Sequence, residues 1–254
     1  MASEYDPRKF EEDFVFLKEL KDILIEDLFR IQRAPNDPTF CDSQLRRGYH
    51  TETNDGREVR LIFPAGFTKI WNHLQKCERI QEAKTRLPYP EGEEDISSNE
   101  SEINFVGFIG NKNEETKGDA SLLAEVNKLD GKLVDELAEI DGMLAYVSGE
   151  RVKGGDYGNL VLFRDRGVVQ DLLKSSNHGK AVNAVSPRFY KDVRIHSGRL
   201  QDGLTSSFFA LQKTLFLFFT LPPEDPGRRR VQMWRACREE SDVMKVLPPS
   251  KSCC

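Results

Sequence analysis

Apolar residues recur every three or four positions through the first part of the chain, among acidic and basic neighbours. Between residues 7 and 33 this series consists of Phe10, Phe14, Leu17, Leu20, Leu24, Leu28 and Ile31. The spacing is that of one face of an amphipathic helix, so it predicts a single long helix that ends before Ala34 and Pro35. A similar series over residues 67–85 predicts a second amphipathic helix.

Two extended runs, residues 48–53 and 57–63, lie between these helices and flank Asn54-Asp55-Gly56. An Asp-Gly pair between such runs is a strong signal for a tight β-hairpin turn. Pro64 ends the second run, because proline has no N–H to donate to a strand ladder. Residues 1–86 are therefore predicted to form a helix-hairpin-helix half.

Residues 87–102 differ in composition from the sequence on either side. They contain two prolines, six acidic residues and three serines, and no basic residue. A segment so polar and so charged buries little apolar surface, so it is predicted to be a solvated acidic linker between two parts of the chain. Residues 239–254 are predicted to form a frayed tail.

The second half alternates strand-like and helix-like patterns. In chain order these are a strand over 103–110, a helix over 120–140, strands over 143–148 and 159–163, a helix over 168–182 and a strand over 192–196. This β-α-β-β-α-β order is that of the ferredoxin-like unit. Two more strands, over 211–220 and 230–238, follow and complete a predicted α+β region over 103–238.

Two local features accompany this element order. Ser175-Ser176-Asn177-His178 lies on the second helix, in a Ser-x-x-His spacing, and residues 159–163 form an apolar third strand. Together these features resemble the dimeric α/β-barrel superfamily over residues 103–200. The resemblance implies that the open sheet face forms an α/β barrel with a second sheet, from another chain or from a degenerate tandem copy in the first half.

Period-two alternation assigns the strand residues to two faces of the sheet. The face expected to pack on the two helices carries Phe105, Gly107, Ile109, Met143, Ala145, Val147, Leu160, Leu162, Val193 and Ile195. The face expected to line the barrel carries Asn104, Val106, Phe108, Leu144, Tyr146, Ser148, Asn159, Val161, Phe163, Arg194 and His196. Apolar walls with a few hydrogen-bonding groups are typical of a small-molecule pocket, which this second face is predicted to form.

His196 is the leading candidate for a catalytic group in that pocket. A barrel-facing imidazole beside Tyr146 can act as a general acid or base near neutral pH. Arg194 can hold a carboxylate, enolate or phosphate through its fork of donors, and His178 can approach the rim from the second helix. Each also has a structural interpretation, as an interface histidine, a salt-bridged arginine or a polar residue at a helix end.

The substrate-binding residues expected around these groups are Asn104, Phe108, Ser148, Asn159, Phe163 and Tyr190. Tyr190 precedes the fourth strand, where it either closes the pocket or serves as a packing anchor. No metal site is predicted, since the chain has neither a His-x-x-x-His nor a Cys-x-x-Cys spacing. No cofactor is expected either, although one histidine can serve as an axial haem ligand.

Charge and composition limit the partners. The chain has 37 Lys and Arg against 42 Asp and Glu, a net charge of −5, so it lacks the positive field that attracts nucleic acid or anionic membranes. No apolar run approaches the ~20 residues of a membrane span. The first residues lack the features of a signal peptide, and five scattered cysteines fit no disulfide framework. These features predict a cytoplasmic protein whose partners are a small apolar molecule and, for an intermolecular barrel, a second copy bound through the sheet face.

The resemblance leaves the function open. Members of the superfamily include cofactor-free oxygenases, polyketide cyclases, haem enzymes and proteins without an established activity. The leading prediction is a cofactor-independent cyclase, lyase or isomerase that acts by acid/base chemistry on a polyketide- or terpenoid-like substrate. The alternative is a non-catalytic ligand-binding or dimerisation protein, and a haem enzyme is the third. A barrel filled solid by side chains favours the alternative, because it admits no substrate.

Overall fold

The computed structural model describes residues 7–86, 102–116, 118–140, 142–165, 167–200, 202–206, 209–220, 228–237 and 245–246. The first half contains α1 (Pro7–Arg33), α2 (Asp42–Arg47), β1 (Tyr49–Glu52), β2 (Glu58–Ile62) and α3 (Phe67–Arg86). The predicted long helix, hairpin and second helix are therefore confirmed. The acidic segment 87–101 and most of the tail 239–254 lie outside the described residues, so the predicted division of the chain there stays a prediction.

The second half completes an α+β chain. Its elements are β3 (Ile103–Lys112), α4 (Ala120–Ala138), β4 (Met143–Glu150), β5 (Tyr157–Phe163), α5 (Gly167–Lys174), α6 (Ser176–Lys180), α7 (Ser186–Phe189), β6 (Tyr190–Leu200), β7 (Ala210–Thr220), β8 (Arg228–Cys237) and β9 (Lys245–Val246). The predicted order of strands and helices is confirmed, except that the helix expected over 168–182 is divided. Ser175 causes the break, because its backbone is extended and its side chain caps α6 by accepting a hydrogen bond from the His178 backbone N–H.

The strand pairs in the described residues are all antiparallel and follow the order β1-β2-β4-β5-β3-β6-β7-β8-β9. The hairpin of β1 and β2 extends this sheet beyond β4, with Leu61 opposite Val147. The central strand β3 places Gly107 opposite Leu160 on one side and opposite His196 on the other. Residues opposite each other in this way have their side chains on the same face of the sheet.

One face of the sheet is covered by α1. Gly107, Gly149 and Gly158, on three adjacent strands, allow the helix to lie close to the backbone. A Cβ atom at Gly107 would lie 2.5 Å from Cδ1 of Leu17, and one at Gly158 would lie 2.6 Å from Cε1 of Phe16. The core between helix and sheet includes Leu17, Leu20, Leu24, Leu28, Phe105, Ile109, Ala145, Val147, Leu160 and Leu162.

The opposite face packs against α4 and α5. The cluster there consists of Leu137, Met143, Val161, Phe163 and Val168, with Val106 and Tyr146 at its edge. A further cluster on β6 and β7 consists of Val193, Leu217 and Phe219, with Phe108 and Tyr190 against it. Helices therefore cover both faces of the central strands.

The structure corrects the prediction of which faces of β3, β4 and β5 pack against the helices α4 and α5. Arg194 and His196 lie on the face that α1 covers, opposite Ile109 and Gly107. The residues predicted to share that face, which are Asn104, Phe108, Tyr146, Ser148, Asn159 and Phe163, lie instead on the face of α4 and α5. That part of the prediction is wrong because both faces are largely apolar, so alternation does not reveal which face meets which helix. The position expected for a second sheet over His196 is occupied by α1.

Candidate functional site

Three charged or polar side chains from distant parts of the chain meet beneath α1. Asp13 lies on the apolar side of α1, and Arg194 and His196 alternate along β6 so that they face the same way. The exposed fraction is 0% for Asp13 and His196 and 2% for Arg194. Because these groups are almost entirely withdrawn from water, their charges must be balanced by protein groups.

Arg194 supplies that balance for Asp13. Its Nε donates to Asp13 Oδ2 at 2.5 Å and its Nη2 donates to Asp13 Oδ1 at 2.7 Å, a bidentate ion pair. Its Nη1 donates to Asp192 Oδ1 at 2.9 Å, and that oxygen also accepts from Asn111 Nδ2 at 2.7 Å. Burial acts to lower the pKa of Arg194, but the carboxylates of Asp13, Asp192 and Asp156 raise it above its usual value. Of the two interpretations that the sequence leaves open for Arg194, a ligand contact and a salt bridge, the structure shows the salt bridge.

His196 is enclosed in the same network. Its Nε2 lies 2.9 Å from Asp13 Oδ2, and its Nδ1 lies 2.9 Å from Thr214 Oγ1. The ring of Phe14 packs on the imidazole with 5.0 Å between the ring centroids. Since a carboxylate only accepts hydrogen bonds, Nε2 carries the proton on the Asp13 side. Both ring nitrogens are therefore engaged, and neither is presented to solvent.

The cluster keeps Asp13 ionised. Burial acts to raise the pKa of its carboxyl, but the hydrogen bonds and charges of Arg194 and His196 lower the pKa below its usual value. Thr214, His196 and Asp13 follow the order of hydroxyl, imidazole and carboxylate that activates a nucleophile in some hydrolases. Thr214, however, is only 1% exposed. In this structure these hydrogen bonds hold α1 on the sheet, and a substrate cannot reach the Thr214 hydroxyl.

Tyr146 lies on the other side of the sheet from His196, on the face of α4. Its hydroxyl is 3.5 Å from Nδ2 of Asn159, and Ser148 is opposite Asn159 in the ladder of β4 and β5. Burial, and after it the charge of Asp130, raises the pKa of the Tyr146 phenol, so the hydroxyl stays protonated near neutral pH. The structure therefore separates the two residues that the sequence pairs for proton transfer.

The remaining predicted ligand contacts are engaged in packing. Phe108 and Tyr190 meet edge to face with 5.4 Å between their ring centroids, and Phe163 is buried in the cluster against α4. Asn104 donates from Nδ2 to the backbone carbonyl of Arg164 at 2.9 Å. These four residues share a face, but their contacts give each of them a structural role.

His178 lies on α6, close to Glu136 of α4. Glu136 accepts hydrogen bonds from Ser175 Oγ and from Asn177 Nδ2. Burial lowers the pKa of His178, an effect that the charge of Glu136 opposes without reversing. The Ser-x-x-His stretch therefore joins α6 to α4, away from the His196 network.

A surface cleft of about 270 Å³ opens beside the buried ion cluster. It is lined by Glu12, Asn111, Arg151, Val152, Asp156 and Arg194. These residues come from α1, from β3, from the turn between β4 and β5, and from β6. The cleft is polar and charged, unlike the apolar pocket that the sequence predicts.

Asp13 and Arg151 are absent from the residues that the sequence singles out. Asp13 stands four positions before Leu17 and seven before Leu20, which places it on the apolar side of α1. A carboxylate at that spacing is a usable signal, because it must find a partner when the helix is buried. Arg151 follows β4 in a glycine-rich turn, where its local sequence carries no comparable signal.

Neither a metal centre nor a membrane span is found in the described ranges. No group of three or more His, Cys, Asp and Glu side chains there is arranged to hold a metal ion. No helix in those ranges combines the length and the apolar content needed to cross a bilayer. An axial haem ligand would also have to be a residue other than His196, whose nitrogens are both hydrogen-bonded.

Comparisons with known proteins give no information on function, so the geometry of the site is the basis for the proposal. Family models, curated proteins and solved structures give no match to the chain. No family is therefore assigned.

Proposed function

We propose that this chain is a small-molecule-binding protein built on a ferredoxin-like unit, in which His196 has a structural and not a catalytic role. The observation that carries the structural role of His196 is its enclosure, since it is 0% exposed and has both ring nitrogens engaged. A general acid or base must reach the reacting atom directly or through one water molecule. His196 meets that requirement only if α1 leaves the sheet.

The strand order β4-β5-β3-β6 supports the ferredoxin-like part of the proposal. The connection from β3 through α4 ends on β4, with β5 between the two strands, and the connection from β5 through α5, α6 and α7 ends on β6, with β3 between them. This is a split β-α-β arrangement. In the dimeric α/β-barrel superfamily a second sheet covers the open face, and here α1 takes that position.

The cleft beside Arg151 is the binding site in this proposal. Its volume of about 270 Å³ is just below the ~300–1,000 Å³ of pockets for drug-sized ligands, so it suits a small metabolite. Polar atoms of Arg151, Asp156 and Asn111 are available to fix the orientation of such a ligand.

The acid/base enzyme is the second candidate, and the Tyr146 group supports it. The Tyr146 hydroxyl is protonated at neutral pH and can donate a proton, although its raised pKa makes it a weaker acid, and the Asn159 amide lies 3.5 Å from it. Catalysis by this group requires neither His196 nor Arg194. The two candidates therefore make different predictions for the same protein.

Equilibrium dialysis of the purified protein against a metabolite extract separates these functions. A binding protein concentrates one or more small molecules and returns them unchanged after denaturation, which is the result we expect. Conversion of a metabolite into a new product, lost in Tyr146→Phe and kept in the matched control Tyr157→Phe, would establish the enzyme instead. Failure to retain any metabolite would also overturn the proposal.

A further inference from the structure

Arg151 is the cation that a ligand meets in the cleft. Its side chain is 17% exposed, and its guanidinium lies over the ring of Phe16, 6.0 Å from the centroid. Its nearest carboxylate oxygens in the described residues are Asp13 Oδ1 at 3.7 Å and Glu12 Oε2 at 3.8 Å. Both distances are longer than a hydrogen bond, so the guanidinium keeps donors for a further acceptor.

Arg194 lines the same cleft, but its guanidinium is already hydrogen-bonded to carboxylates of the protein. Asp13 binds it through two hydrogen bonds and Asp192 through a third. Its charge is therefore neutralised inside the protein. A ligand carboxylate gains less from Arg194 than from Arg151, whose ion pairs are long.

Oxygen acceptors lie on other residues of the cleft. Asp156 Oδ1 accepts from the backbone N–H of Lys112 at 2.8 Å, which fixes the carboxylate and leaves Oδ2 to accept from a ligand. Asn111 uses its Nδ2 on Asp192, which leaves its own Oδ1 as an acceptor. Glu12 is exposed on α1. These oxygens suit the N–H groups of an amine.

The charge balance of the cleft favours a cationic ligand. The charged groups that line the cleft are Arg151, Arg194, Glu12 and Asp156, whose formal charges cancel. The carboxylates of Asp13 and Asp192 lie behind the lining on Arg194, and with them the six groups carry a formal charge of −2. Such a site attracts amines and repels molecules that carry only carboxylates. A carboxylate is accommodated when the same molecule also carries positive charge and can place the carboxylate on Arg151.

We infer that this cleft binds a basic α-amino acid, with the ligand carboxylate on Arg151 and the ligand amines on Asp156 and Glu12. The inference rests on the proposed function and specifies its ligand class. An arginine fork matches a carboxylate with two parallel hydrogen bonds, whereas an ammonium group can donate to several oxygens at once. A basic side chain supplies the net positive charge that the cleft favours.

Isothermal titration calorimetry with three related probes tests the ligand class. L-Lysine carries both kinds of group, cadaverine lacks the carboxylate, and Nα,Nε-diacetyl-lysine has no charged amine. We expect the native protein to bind lysine, to bind cadaverine about 10-fold or more weakly because a charge-assisted contact is lost, and not to bind the diacetyl compound.

Variants assign the ligand groups to residues. Arg151→Gln is expected to reduce the affinity for lysine to that for cadaverine without weakening cadaverine, whereas Asp156→Asn is expected to weaken both. Arg188→Gln is the matched control, since Arg188 is exposed and pairs with Glu125; its binding of lysine should equal that of the native protein. Circular dichroism and thermal melting establish that each variant is folded.

Two results would overturn the inference. One is equal affinity of the native protein for lysine and cadaverine, and the other is unchanged lysine binding in folded Arg151→Gln. If dialysis against the extract retains a metabolite while lysine does not bind, the inference fails and the proposed function stands. If no metabolite is retained and no probe binds, both fail.

Discussion

Asp13 and Arg194 form a bidentate ion pair across a separation of 181 residues, with both side chains withdrawn from solvent. The pair joins the first helix to β6, and His196 and Asp192 complete it. It fixes where α1 lies along the sheet, because a helix displaced by one turn would leave buried charges without partners.

Replacement of Asp13 by Ala should destabilise the protein strongly. The change leaves the Arg194 guanidinium buried with Asp192 as its remaining carboxylate partner. We expect the free energy of unfolding to fall by about 3–5 kcal/mol, as for other buried pairs that lose one member. Urea denaturation followed by circular dichroism measures the change.

The exposed ion pair of Lys18 with Asp22 provides a control on the same helix. Lys18→Ala should change the free energy of unfolding by about 0.5 kcal/mol or less, because exposed pairs contribute little. Equal effects of Lys18→Ala and Asp13→Ala would show that the buried cluster has no special role in stability.

Gly107→Ala should weaken the packing of α1. The added Cβ would lie 2.5 Å and 2.8 Å from the two Cδ atoms of Leu17, too close for either side chain to stay in place. We expect a loss of about 1–3 kcal/mol, which is typical of an overpacked core. Leu17→Ala should be less harmful in the Gly107→Ala background than alone, since it removes the clash, and a double-mutant cycle measures this coupling.

Gly131→Ala is the matched glycine substitution. Gly131 lies within α4, and a Cβ atom there meets nothing within 4 Å. Alanine should therefore stabilise the helix by up to about 1 kcal/mol. A destabilisation similar to that of Gly107→Ala would mean that contact with α1 is not the cause of either effect.

His196→Gln distinguishes a structural histidine from a catalytic one. Glutamine cannot reproduce both hydrogen bonds at the positions of Nδ1 and Nε2, so we expect a loss of about 1–3 kcal/mol in thermal or urea unfolding. Binding of the cleft ligand should be unchanged, since His196 is not part of the lining. A turnover that falls by about 10²–10⁴-fold in a folded variant would instead identify a general acid or base.

Asp13 and Asp27 should give opposite dependences of stability on pH. The folded pKa of Asp13 lies below its usual 3.8, so its stabilising contribution is present above that value and is lost as the pH falls through the folded pKa. Burial raises the pKa of Asp27, in spite of the Tyr49 hydroxyl and Arg30 beside it. Its contribution is therefore most favourable at low pH and is lost as the pH rises through the folded pKa.

Unfolding experiments between about pH 3 and pH 7 on the native protein and on two variants measure this difference. The stability advantage of the native protein over Asp13→Asn should shrink towards low pH, whereas its advantage over Asp27→Asn should grow. Parallel curves for the two variants would contradict the opposite pKa shifts.

Local signals were sufficient to predict α1, α3, α4 and the strands β1 to β8, because each of these carries its own pattern, whereas the short elements α2, α7 and β9 were not predicted. Local signals did not predict which residues of each strand face α1 and which face α4 and α5. Phe105 and Val106 are both apolar neighbours in β3, since α1 covers one face and α4 and α5 cover the other. The ladder of β4 and β5 also shifts register between Met143 and Ala145, which places Met143 on the face of α4 against the simple alternation.

Local sequence patterns also could not predict which groups bind the buried charged side chains of α1. Asp13 and Lys21 are spaced with the apolar residues of the helix, yet acidic and basic residues on a helix are most often solvated. Lys21 Nζ donates to the carbonyl oxygens of Leu204 at 3.1 Å and Ser206 at 2.7 Å. Contacts of this kind are set by the tertiary fold, so the sequence shows the unusual residue but not what satisfies it.

The three glycines beneath α1, Gly107, Gly149 and Gly158, affect how the chain folds during its synthesis, because the sheet backbone there is covered only when α1 is in place. The first helix is synthesised long before β6, and its leucines have no sheet to pack against until the later strands have emerged. At these three glycines the sheet has no side chain of its own beneath the helix, so α1 must be in place to cover the backbone there. Closing a contact between residues 13 and 194 is a late, non-local step, which slows folding and exposes apolar surface in the nascent chain.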